Sequence, residues 1–324
     1  MTTALPTEIG APSDHAAPPS ASQSAPTEKI EGRTPLQLAW ARLRKDRVSI
    51  GCAVVIVLLV IVALAAPLLA KLIGHQPNTQ YRSIGINANA LPVGPGKHFV
   101  LGADSQGRDI LVRIIYGTRV SLLVGVVATG ISVLIGILVG LVAGFYRGRV
   151  DTFLSRFMDV VLSFPFLLFA IALVSVFGPS LKIAIFVIAF FSWPGIGRIV
   201  RGLVLSVREK EYIEAARSLG AGDLRIMFLD VLPNLVGPLI VYSTLLIPTA
   251  IVFEATLSYL GLGVVPPTPT WGNMLAEAQD YYTVAWWYVV FPGLALLITT
   301  LAFNLLGDGL RDALDPRAER VFAK

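Results

Sequence analysis

The long apolar stretches of this chain restrict its fold more than any other feature. They lie at about 48–70, 118–146, 153–177, 181–205, 231–253 and 284–306. A helix needs about 20 apolar residues to cross a bilayer core, and each stretch supplies them. In lipid, backbone polar groups are satisfied only within helices or closed barrels. Barrel strands alternate apolar and polar residues, whereas these runs are continuous. The expected fold class is all-α: a polytopic integral membrane protein with about six transmembrane helices.

Charge placement orients such a chain. Of its 324 residues, 55% are hydrophobic and 15% charged, and the net charge is +5. A basic balance in a soluble protein would suggest nucleic acid. Here the cations cluster beside apolar spans, the pattern that sets topology, so membrane lipid is expected and nucleic acid is not. Arg42, Arg44, Lys45 and Arg47 precede the first span, and Arg147 and Arg149 join the second to the third. Arg208, Lys210, Arg217 and Arg225 join the fourth to the fifth, and Arg311, Arg317, Arg320 and Lys324 follow the sixth. The loop 255–283 has neither Lys nor Arg. Both termini are therefore expected in the cytoplasm. The segment 71–117 carries several basic residues, but it is a longer loop, where the rule weakens.

The divisions follow. Residues 1–34, rich in Ala, Pro, Ser and Thr, are expected to be a disordered tail rather than a signal peptide. Residues 35–47 read as an amphipathic basic helix on the membrane surface. The transmembrane domain spans 48–306 with a cytoplasmic loop at 206–230, and 307–324 form a cytoplasmic tail. Pro165, Pro194, Pro248 and Pro292 fall in or beside spans, and Gly125, Gly130, Gly136, Gly140 and Gly144 run through the second. Close helix packing is the simpler reading of the glycines, and pore lining is the alternative.

The loop between spans four and five is a charged island, REKEYIEAARSLGAGDLRIMFLDVLP at 208–233. Residues 209–219 are good helix formers and end at Gly220, an expected cap. Glu214 and Arg217 stand three apart and are expected to pair. Asp223 is expected to cap a second short helix at 224–230, with Pro233 opening the fifth span. The product is a helical hairpin projecting into water. It is either an ordinary surface loop or a contact for another protein.

Glu254 is an acidic group near the outer end of a span, hence a candidate for function, although a structural role, pairing or reaching interfacial water, is the simpler reading. Glu254 and Trp271 are the candidates for an outer gate. Trp271, Tyr281, Tyr282, Trp286, Trp287 and Tyr288 suit an interfacial aromatic belt, or else a surface on which a ligand stacks. Catalytic machinery is not expected. Gly94-Pro95-Gly96-Lys97-His98 only faintly imitates a phosphate loop, with Leu91 and His98 at positions that require Gly and Ser/Thr. Cys52 is the single cysteine and His15, His75 and His98 are scattered, so no local metal cluster is expected.

Several ordered motifs carry a resemblance. Glu214-Ala215-Ala216, Gly220 and Leu232-Pro233 keep the spacing of the EAA signature of bacterial ABC importer permeases, with Asp230 where that pattern has Ile. Residues 101–109 (LGADSQGRD) and 113–122 (RIIYGTRVSL) resemble a stretch of the dipeptide/oligopeptide/nickel permeases, with Ala103 and Val112 replacing the usual Thr and Ser. Asp104, Arg108, Asp109, Arg113 and Arg119 are expected to form local ion pairs there. Ser163-Phe164-Pro165 and the segments 254–263, 269–275 and 307–316 are similar to the C-type permease. The resemblance covers about 35–317.

The resemblance implies a type I ABC importer permease fold and no enzymatic activity in this chain. ATP and Mg would be bound by partner ATPases, and no cofactor or metal by this chain. Implied partners are a second homologous permease, two cytoplasmic ABC ATPase subunits or domains, and an extracytoplasmic substrate-binding protein. Glu211, Glu214, Ala215, Ala216, Arg217, Gly220 and Asp223 would couple to the ATPase. The implied activity is alternating-access import of dipeptides or oligopeptides across the bacterial cytoplasmic membrane. A nickel-chelate or other small-solute permease is the nearest alternative, and an ion-coupled secondary carrier a more distant one.

Overall fold

The computed structural model describes residues 40–314. The tail 1–34, residues 35–39 of the basic helix and residues 315–324 lie outside them. All described residues belong to one compact unit, Pro35–Lys324. Its helices are α1 Arg47–Leu64, α2 Ala66–Ile73, α3 Arg82–Gly85, α4 Ile110–Tyr146, α5 Gly148–Ser163 and α6 Phe166–Phe177, followed by α7 Leu181–Val207, α8 Glu211–Ser218, α9 Asp223–Tyr259, α10 Trp271–Ala278 and α11 Trp286–Leu314. Among the described residues there is no strand, only the isolated bridges Ile86 to Pro92 and Ala103 to Asp109. Among the described residues, five helices are long and apolar enough to cross a membrane, and the α5–α6 pair makes a sixth if it crosses as one unit.

The helices depart from the sequence expectations at four places. The basic helix does not reach Arg47: residues 40–43 are helical, 44–45 turn, and the Asp46 carboxylate accepts the N–H groups of Val48 and Ser49 to start α1. The first span breaks at Ala65, where α2 begins with Pro67 in its first turn. Proline lacks a backbone N–H and fits the start of a helix better than its interior. The third stretch is not one straight span. Pro165 separates α5 from α6, and their axes differ by 79°. No separate helix occupies 224–230. Gly222 stands at the N-cap position, Asp223 makes no side-chain cap, and the segment is the first part of α9, which runs through π-helix at Ile226–Val231.

Close approach holds α4 to α7. A Cβ on Gly140 would lie 2.5 Å from the Gly197 carbonyl oxygen, and one on Gly136 or Gly144 2.7 Å from Ile196 or Val204. Small residues admit such proximity, and in lipid this packing replaces hydrophobic collapse between helices. Gly125 meets Ile251 of α9 in the same way, whereas Gly130 faces open space. The close-packing reading thus describes four of those five glycines. A core of Leu141, Phe145, Val200, Val204, Ile226, Met227 and Val231 then joins α4, α7 and α9 at one end.

The aromatic belt is smaller than expected. Trp271 and Tyr288 are fully buried, and Trp287 packs against Gly94 and Gly102, donating its indole N–H to the Ala103 carbonyl at 3.3 Å. Tyr282 and Trp286 remain exposed. Trp271, Trp287 and Tyr288 hold loop to helix instead, because a Trp or Tyr can bury its body and still satisfy its polar tip.

Candidate functional site

Charged residues gather at both ends of the bundle, and the two gatherings differ. One precedes α4. Asp104 sits in a turn that its own carboxylate organises, accepting the N–H groups of Gln106 and Arg108 at 2.9 Å. The Arg108 Nε lies 2.5 Å from Asp104, and its Nη2 lies 2.6 Å from Glu277 of α10. Arg113 lies within 3.4 Å of Asp104 and 3.5 Å of Glu277, and its Nη1 donates to the Pro77 carbonyl. The Arg113 Nε and Nη2 make no hydrogen bond, so its attraction to these carboxylates is coulombic. Tyr288 of α11 donates its hydroxyl to Glu277 at 2.8 Å.

Asp104, Arg108 and Arg113 are essentially inaccessible. Burial disfavours the Arg108 guanidinium charge, but Asp104 and Glu277 outweigh that and raise its pKa above the ordinary arginine value. Asp109 caps α4 through the N–H groups of Leu111 and Val112 and meets His75 Nδ1 at 2.6 Å. Arg119 is exposed and stands apart from the network. The local pairs expected from the sequence therefore form around Asp104, Arg108 and Arg113. Glu277 and Tyr288 enter from distant sequence. One signal pointed to Glu277: it is an acid in a loop without a single Lys or Arg, so its counter-charge had to come from elsewhere.

Glu254 and Trp271 lie at the same end, and neither is accessible in this chain. Ser121 of α4 and Ser258 of α9 donate hydroxyl groups to the two Glu254 oxygens at 2.9 and 2.8 Å. The Trp271 indole N–H is directed to the Ile114 carbonyl at 3.4 Å, and its ring packs on Gly117. Glu254 is thus a buried junction of α4 and α9, and Trp271 seats α10 against α4.

The second gathering is the hairpin of α8 and the start of α9. Its root is fastened. Arg208 donates to the Phe145 carbonyl and Arg147 pairs with Glu209. Arg208 and Arg217 lie 5.9 and 5.7 Å from the Phe145 ring centre, within cation–π reach. Ile213, 1% exposed, drives the inner face of α8 into the Phe145–Val204–Ile226 core, and Ala216 packs beside it. The expected Glu214–Arg217 pair is not within ion-pair distance, because Arg217 is engaged over Phe145.

The turn closes as glycine permits. Leu219 is the cap and Gly220 follows it with φ +83°. The Ala221 N–H bonds to the Ala216 carbonyl and the Gly220 N–H to that of Arg217, each at 3.0 Å. This pair of bonds is a Schellman closure, which favours glycine at the left-handed position. Glu211, Glu214, Ala215, Arg217, Gly220 and Asp223 are exposed. Around them stand large apolar groups: Leu219 is 89% exposed, although its spacing of three from Ile213 and Ala216 suggests their inner face, and Leu224 is 67% and Tyr212 45% exposed. Their exposure depends on the hairpin's orientation.

Comparison with known proteins agrees along most of the chain. Residues 136–320 match the family described as binding-protein-dependent transport system inner membrane component. Residues 34–92 match the N-terminal TM domain of oligopeptide transport permease C. The di/tripeptide transport system permease protein DppC of Pseudomonas aeruginosa is 44% identical over 288 residues, 89% of this chain and 94% of that one. The glutathione transport system permease protein GsiD of Escherichia coli O6:K15:H31 is 42% identical over 285 residues, covering 88% and 91%. In fold, the chain resembles a solved inward-facing MetNI methionine ABC transporter chain with a TM-score of 0.55 at 19% identity, covering 64% of this chain and 98% of that one. This chain belongs to the family of binding-protein-dependent transport system inner membrane components and is a multi-pass permease subunit of an ABC importer.

Proposed function

We propose that this permease carries short peptides into the cell and that the α8–α9 hairpin is the lever through which a cytoplasmic ATPase drives it. Peptide cargo is supported by the di/tripeptide and glutathione permeases among its relatives. One observation carries the docking role. The hairpin root is wedged into the bundle by Ile213, while its tip presents Leu219 and Leu224 to solvent among charged groups. An exposed apolar patch rimmed by polar residues suits a protein contact. A rigid root lets movement at the tip reach α4, α7 and α9 as a body, which is how packed helices transmit a switch.

The remaining assignments follow from this reading. The hairpin side, with both termini, faces the cytoplasm. ATP hydrolysis, with its Mg, belongs to two ATPase subunits or domains, and this chain holds no cofactor or metal. A second homologous permease completes the pathway, and a substrate-binding protein delivers cargo at the opposite end. Glu254 and Trp271 act there as the outer gate, tying α4, α9 and α10 in one state.

The test uses the whole transporter in vesicles supplied with ATP and labelled dipeptide. Glu214→Lys is expected to leave the permease inserted while abolishing ATPase co-purification and uptake. Normal uptake in that variant would refute the lever. Glu254→Gln is expected to reduce uptake severalfold with insertion unchanged, and wild-type rates would remove it from the gate.

A further inference from the structure

We infer that the outward face of α5 binds the headgroup of an anionic phospholipid, held by Arg149 and Arg156. The charges of this helix are sorted by side. Asp151 is held by the Arg201 guanidinium of α7, one contact being 2.7 Å, and by Ser155 at 3.1 Å. Asp159 is 2.5 Å from Arg198, also of α7. Met158 and Val161 complete the inward face, both buried. Both acids of α5 are thereby paired with arginines of α7, Asp151 largely covered and Asp159 45% exposed.

The opposite face keeps its cations. Arg149, Thr152, Phe153 and Arg156 follow helical spacing and, with Gly148, line one open pocket of about 560 Å³. Arg149 has no acid within ion-pair distance among the described residues. Arg156 reaches only Asp159, at 3.5 Å and already engaged by Arg198. The two arginines stand seven residues apart, about 10 Å along the axis. Apolar groups share that face: Phe153, between the two arginines, is 70% exposed, and Val160 and Phe164, beyond Arg156, are 54% and 55% exposed.

Basic groups interleaved with exposed apolar ones match the amphiphilic character of a phospholipid, with the phosphate at the guanidinium groups and acyl chain along the rings. Charge complementarity chooses an anionic lipid over a neutral one. The pocket adjoins the hairpin root, since Arg147, at the start of α5, pairs with Glu209. Assignment to the cytoplasmic leaflet rests on the proposed function, whereas binding itself does not.

The intact transporter, purified with its partners into nanodiscs of mixed phosphatidylglycerol and phosphatidylcholine, tests this by native mass spectrometry of retained lipid. Wild type is expected to retain phosphatidylglycerol preferentially, undisturbed by millimolar inorganic phosphate. The R149Q/R156Q variant should bind it roughly 30-fold more weakly, about fivefold per arginine, with phosphatidylcholine unchanged. R149K/R156K should restore retention, which separates charge loss from misfolding. Equal phosphatidylglycerol retention in wild type and R149Q/R156Q overturns the inference. So does loss of an ATPase or the second permease from R149Q/R156Q, which would make this face a protein interface, and so does displacement by phosphate alone. A failed hairpin is visible separately, as ATPase retention in Glu214→Lys.

Discussion

The loop before α4 and the α8–α9 hairpin are both rich in charge, yet they use it in opposite ways. Before α4, Asp104 and Glu277 meet Arg108 and Arg113 in an arrangement that balances two carboxylates against two guanidinium groups. Almost nothing is left to offer a partner. In the hairpin, Arg208 and Arg217 are spent at the root, while Glu211, Glu214 and Asp223 remain in solvent beside Leu219 and Leu224. Charge density therefore does not identify a contact surface. What identifies it is charge left over once the fold has been satisfied.

Four substitutions, in falling order of their effect on stability, would break or sharpen this contrast. Arg108→Met leaves Asp104 buried without its closest cation. Losing one partner of a buried pair costs about 3–5 kcal/mol, and a marked drop in the thermal midpoint of the solubilised protein is expected. Unchanged stability would mean that the outer network is as dispensable as a surface pair. Ile213→Ala removes the hairpin wedge at a cost of about 2 kcal/mol or more. Hydrogen exchange should rise in α8 and at the start of α9 while the loop before α4 stays protected. Exchange rising in both regions together would join what the comparison separates.

Gly220→Ala places a Cβ at φ +83°, a strain of about 1–2 kcal/mol. It should loosen the hairpin tip and lower uptake several-fold with little change in membrane level. Full uptake would show that the Schellman closure is not needed for coupling. Glu214→Lys is the smallest perturbation of the fold, within about 0.5 kcal/mol, and the one expected to abolish transport. A thermal midpoint shifted as far as that of Arg108→Met would show that Glu214 is structural after all.

The hairpin was legible in part. Glu214, Ala215, Ala216 and Gly220 are local signals, and the helix ends at Leu219 with Gly220 next because the requirement for a positive φ is itself local. The merging of 224–230 into α9 was not legible, because Asp223 as a cap and Asp223 as a first-turn residue look alike in sequence. Trp271 and Tyr288 resembled belt residues, since an aromatic near a span end can either face the interface or close a loop. Only the position of α10 decides between these.

Besides the spacing of the EAA segment, the chain alone dictates the number and nature of its apolar stretches and their flanking charges. These are set by lipid, which demands helices of sufficient length and places cations at their ends. The tertiary structure alone decided which charges would be spent. Glu277 lies far along the chain from Arg108 and Arg113, and Arg217 turns to Phe145 rather than to its helical neighbour Glu214. Helical spacing fixes which groups can meet within a turn. Which of them do meet depends on the helix packed against them.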